Sequence, residues 1–208
     1  MKNRLHDKKA GIFILVSLIL ISVAEVGFRH MFLRDMIATT ANYAETLAVI
    51  GLALTIIIFT LKGKDRVCYI LYGAWAAYFV LDQVFELPGV IAGVISLPLQ
   101  VEGVPFIFNI GGIVRILIMV GIIAIGALLV EYLNDGTIYN KAFNIICVIT
   151  VLLIILNIAI SIYAATLTNS TFVLDTFNDL YRLAMVFLFA FFAYDSAKKQ
   201  LSKVNFDK

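Results

Sequence analysis

Six stretches of this chain are each about twenty residues long and almost free of charge, and nothing else in the sequence constrains it as strongly. A helix that crosses a bilayer needs about 20 mostly apolar residues. The stretches run over Ala10–Phe28, Tyr43–Leu61, Val67–Glu86, Ile110–Glu131, Ala142–Ala165 and Phe172–Tyr194. In hydrocarbon a backbone can hydrogen-bond only to itself, so each stretch is expected to be a helix. Composition agrees: 62% of the 208 residues are hydrophobic and 14% charged, against about 45–50% and about 25% in soluble domains. The expected fold is therefore all-α and integral to the membrane, a six-transmembrane-helix bundle forming a single domain over residues 1–208.

The widest gap between spans, Leu87–Asn109, has 23 residues, far short of the roughly 50 of a small independent domain. Any chemistry must sit within or at the rim of the helices. A formal charge of +2 and the lack of a basic patch interleaved with aromatics give no reason to expect a nucleic-acid partner. Two cysteines, Cys68 and Cys147, exclude a disulfide framework and read as small packing residues.

Orientation follows from lysine and arginine. Lys2, Arg4, Lys8, Lys9, Lys62, Lys64, Arg66, Lys141, Lys198, Lys199, Lys203 and Lys208 fall on one side, while the opposite connections hold Arg29 and Arg34. Both termini are expected in the cytoplasm, with the chain in the plasma membrane. A competing reading takes the basic start, the run Gly11–Ile21 and Ser22-Val23-Ala24 as a signal peptide, which would leave five spans. The uncleaved first helix is the expectation.

Between the third and fourth spans, Leu87–Pro105 carries all three prolines, Pro88, Pro98 and Pro105, among glycines and apolar residues. It is too apolar for a solvated loop and too interrupted for one continuous helix. A re-entrant or interfacial segment is expected, with a lipid-skimming loop of short helical pieces as its alternative. Asn169-Ser170-Thr171 matches a glycosylation triplet in a connection. Small residues at Ala41, Ala44, Ala48, Gly51 and Thr55 form a stripe expected to admit a neighbouring backbone, as do Gly73 with Ala77 and Gly121 with Ala124. Thr150, Asn157 and Ser161 share a face of the fifth span, where Asn157 is expected to bond across helices.

The rare charges inside the spans carry the functional information. Glu25, Glu45, Asp82, Glu86, Arg115, Asp175, Asp179 and Arg182 all project to one half of the membrane, opposite the lysine-rich side. Asp82 and Glu86 are one turn apart, Asp175, Asp179 and Arg182 follow at four and three, and Glu25 precedes Arg29 by four. A charge at a helix centre costs about 2.5–3.5 kcal/mol on insertion scales, so these groups are expected to face one another rather than lipid.

Three readings follow. In the first, Glu25, Asp82, Glu86, Arg115, Asp179 and Arg182 line an outward-facing polar cavity that binds or transports a small solute. The arginines would hold an anionic group, and the acids a cation or a proton. In the second, Asp82, Glu86 and Asp179 serve a membrane-embedded enzyme, through a divalent metal in one version. In the third, the charges tie helices together in a non-catalytic subunit or scaffold that docks a membrane partner or a second copy. The sequence holds no metalloprotease HExxH, serine elbow, phosphate loop or dinucleotide fingerprint, and no span contains histidine. It therefore points to no cofactor. The two halves permit a three-plus-three plan without a residue-level repeat.

Overall fold

The computed structural model describes the backbone over residues 2–32, 36–96, 107–135, 141–168 and 172–204, and side-chain surroundings over a narrower set centred on the spans. Six helices account for it: α1 (Lys2–Phe32), α2 (Met36–Leu61), α3 (Asp65–Ser96), α4 (Ile107–Asp135), α5 (Lys141–Thr168) and α6 (Phe172–Val204). All six are long and apolar enough to cross a membrane, and no strand occurs among the described residues. The protein is a multi-pass membrane protein by this criterion. Residues 97–106, with Pro98 and Pro105, and the triplet Asn169-Ser170-Thr171 lie outside the described residues, as do the side chains of Ala41 and Glu131.

One expectation fails for the residues that can be seen. The third helix does not stop at Glu86 but runs to Ser96 with Pro88 inside it. Proline cannot donate to the carbonyl four residues back. An apolar solvent offers the other amides no alternative partner, however, so the helix persists around one missing bond.

The chain folds as two compact units, residues 1–75 and 76–208. In the first, α1 and α2 form a helical hairpin. Leu15, Leu18 and Ser22 are buried on α1, and Val49, Ala53 and Ile56 on α2, each set at three- and four-residue steps. The expected small-residue stripe is not this packing face. Ala44, Ala48 and Gly51 are exposed, and a Cβ added at Gly51 or Gly73 would meet nothing within 4 Å. Val49, Ala53 and Ile56 pack against α1 instead, a choice that between membrane helices falls to steric fit.

α2 ends where Gly63 takes φ of 69°. The Lys64 amide then donates to the Phe59 carbonyl at 2.9 Å and the Gly63 amide to Thr60 at 3.2 Å. This closing pair of bonds needs a left-handed residue, which glycine supplies without a Cβ clash. The Lys8 ammonium, at 3.3 Å, donates to the same Thr60 carbonyl.

The second unit holds the rest of α3 with α4, α5 and α6. α5 buries Phe143, Cys147, Thr150, Ile154, Asn157, Ser161 and Ala164, alternating steps of four and three along one seam. Glycines of α4 meet α5 and α3 closely. A Cβ on Gly121 would collide with the Thr150 hydroxyl, and one on Gly111 would lie 3.2 Å from Ile160. On the other side Gly112 faces Val94 and Gly126 faces Val80, each 2.6 Å from the place a Cβ would take. Fourteen residues separate these two contacts on each helix and their order reverses, so α3 and α4 run antiparallel. Half the α6 span is buried, the largest share of any span.

Candidate functional site

Three of the polar side chains that this packing buries in the second unit, Gln83, Asn157 and Asp179, converge on Arg182. Counting at 1.5 Å per residue from Asp175, where the α6 span begins, puts Arg182 about 10 Å into the span. Asn157 lies equally far from Ala164 at the end of the α5 span, so the two groups meet at one level. Arg182 is 5% exposed and Asp179, one turn earlier, 0%.

All three guanidinium nitrogens of Arg182 face an oxygen. Nε donates to Gln83 Oε1 at 3.2 Å. Nη1 donates to Asp179 Oδ1 at 3.3 Å, and Nη2 lies 3.7 Å from Glu86 Oε2. The second Asp179 oxygen accepts from Asn157 Nδ2 at 2.6 Å. Gln83, through its own Nε2, donates to Asp82 Oδ2 at 3.2 Å. One continuous set of groups thus links α3, α6 and α5.

Aromatic packing fixes α3 against α6 beside it. Phe79, one turn before Gln83, meets Tyr181 and Phe189 edge-on at 5.8 and 6.0 Å between centroids. A second, looser ion pair joins Arg115 Nη1 of α4 to Asp175 Oδ1 at 3.7 Å, with both side chains about one-third exposed or more. The Arg115 Nε is buried without a hydrogen-bond partner, as is the Thr150 hydroxyl.

No protein-family model, curated protein or solved structure matches the chain. What the site can do must be read from its own geometry.

Of the six site residues expected from the sequence, Glu86, Asp179 and Arg182 touch, and Asp82 joins them through Gln83. Arg115 pairs with Asp175. Glu25 lies in the first unit, where its Oε1 accepts from Arg29 Nη2 at 2.7 Å and Nε at 3.0 Å, the expected pairing one turn apart. Among the described residues no three Asp, Glu, His or Cys side chains are grouped to hold a metal ion. Asp82, Glu86 and Asp179 therefore do not form the carboxylate cluster that a metal-assisted reaction would need.

Sequence reasoning passed over Gln83, which is 2% exposed and holds the arginine from α3. Its signal was present: Phe79, Gln83 and Glu86 follow at four and three, one helix face. Asn157 does bond across helices, as expected, and its acceptor is the most deeply buried acid.

Chemically, the centre is a buried charge pair, Arg182 with Asp179, to which Gln83 and Asn157 each contribute one hydrogen bond. Removing either ion from such a pair leaves a buried, uncompensated charge, whereas well-packed apolar replacements for both are often tolerated.

Proposed function

We propose that this protein is a non-catalytic multi-pass membrane component, a subunit or scaffold, whose intramembrane charges hold α3, α5 and α6 in one register. One observation carries this reading: the nitrogens of Arg182 and both oxygens of Asp179 are already engaged by protein groups. A guanidinium so occupied has little to offer an anionic solute. The lysine-rich side supports an orientation with both termini in the cytoplasm. The lipid bilayer is the protein's solvent, and a membrane protein or a second copy its partner.

The test compares single with paired replacement, read as thermal unfolding in detergent. Arg182→Leu should destabilise by about 3–5 kcal/mol, and Asp179→Leu added to it should recover most of the loss. A double variant as damaged as the single would reject a purely architectural role.

A second reading, a small-solute binding or transport component, is favoured by a specific feature. The Glu86 side chain is 46% exposed while its partner Arg182 is 6%, so the polar groups lead from the surface into the core. A cationic solute could engage Glu86 and Asp82 at that entrance. A thermal-shift screen of purified protein against ions, amino acids and vitamins addresses it. A solute that stabilises the wild type but not Glu86→Gln, with the unliganded midpoint unchanged, would put binding ahead of architecture.

A further inference from the structure

The first unit carries a separate concentration of charge at one end. The Schellman turn at Gly63 lifts Lys62, Lys64 and Arg66 to the edge of the α2 and α3 spans, where all three are exposed. The bond from Lys8 to the Thr60 carbonyl brings the start of the α1 span, with exposed Lys9, beside the same turn. Five cations thus meet one acid, Asp65, among the described side chains there.

Their surroundings match the layering of a lipid. Lys9 and Phe13 are one turn apart on α1, and Arg66 and Ile70 one turn apart on α3, all four exposed. In each pair the apolar side chain lies about 6 Å deeper into the span than its cation. Phe13 is 72% exposed, Leu61 71% and Ile70 64%. Lys64 sits 5.8 Å from the centroid of Phe59, its charge held over an aromatic face at the rim. Cations at headgroup height above apolar surface at acyl-chain height fit one molecule with an anionic head and two hydrocarbon tails.

We propose that Lys8, Lys9 and the Lys62–Arg66 turn cradle the phosphate of an anionic phospholipid, whose chains lie along Phe13, Leu61 and Ile70. The site is independent of the Arg182 centre. It binds lipid through charge and apolar contact together, so neither a zwitterionic lipid nor a soluble phosphate satisfies it.

The experiment uses the full chain in nanodiscs of phosphatidylcholine alone or with part of it replaced by phosphatidylglycerol. It reads the thermal midpoint and, by native mass spectrometry, the phosphatidylglycerol retained. Phosphatidylglycerol should raise the wild-type midpoint. Lys62→Gln, Lys64→Gln and Arg66→Gln together should weaken its retention by about a hundredfold, from roughly fivefold per charge. Their midpoint in pure phosphatidylcholine should not change. Lys62→Arg, Lys64→Arg and Arg66→Lys together should retain the lipid. If the triple variant loses its midpoint in phosphatidylcholine, Lys64→Gln and Arg66→Gln taken singly are judged by the same retention. Wild-type retention in the neutralised variants overturns the proposal, as does equal stabilisation by soluble glycerol phosphate in phosphatidylcholine discs.

Discussion

Arg182 shows how a single residue in a membrane protein is defined by what surrounds it. Its charge would be costly against lipid, yet it is held by an ion pair and by two amides, one of them reaching it through Asp179. Those amides should matter in proportion to the polar atoms they leave behind. Asn157→Leu strands Asp179 Oδ2 in a buried place and should cost about 1–3 kcal/mol by thermal unfolding in detergent. Gln83→Leu should cost a similar amount, since Arg182 Nε loses its acceptor. Asp82→Asn, at a half-buried position beside them, should cost less than either. The charged members of this centre were legible because ions in apolar runs stand out. Gln83 left only the weaker signal of sharing a face with Phe79 and Glu86, since an uncharged amide between two acids looks like surface until a neighbouring helix covers it.

Helices differ in how they use their small residues. The stripe on α2 has the spacing of a packing face, yet Ala44, Ala48 and Gly51 in it are left exposed, whereas single glycines on α4 are points of close approach. Gly121→Ala should therefore destabilise by about 1–3 kcal/mol through overpacking, and Thr150→Ala should relieve it, since the hydroxyl is the nearest obstacle. Gly51→Ala should instead stabilise by about 0.4–1 kcal/mol, because the helix accepts alanine there with nothing in its way. Thermal denaturation of Gly121→Ala, of Gly121→Ala with Thr150→Ala, and of Gly51→Ala separates the two kinds of glycine. Spacing alone did not distinguish them, because each needs a partner side chain from another helix to become a contact. α3 teaches the same lesson about proline. Pro88 reads as an interruption, yet the helix passes through it to Ser96, so Pro88→Ala should raise stability by up to about 3 kcal/mol by returning a donor to the Val84 carbonyl.

For the molecule as a whole, the decisive prediction concerns its sidedness. Fluorescent-protein fusions at either terminus should both fold in the cytoplasm. Cysteine placed at Lys64, with Cys68→Ala and Cys147→Ala, should react with an impermeant maleimide only after the cells are opened. Labelling from outside would reverse the orientation inferred from lysine and arginine.

The sequence by itself determined that the chain makes six membrane-length helices. In an apolar solvent, length and hydrophobicity alone oblige the backbone to satisfy itself. It also raised the expectation that the informative charges lie opposite the lysine-rich side, by counting their distance along each helix. Only the tertiary structure decided which of them meet. Arg182 finds Gln83 and Glu86 ninety or more residues away, while Glu25 spends its charge on Arg29 in its own helix. Lipid gives no net hydrophobic reward for choosing one helix face over another. The choice falls to steric fit, a glycine opposite a valine or a threonine, and to the few polar groups that must find partners. Both depend on residues that the linear pattern keeps far apart.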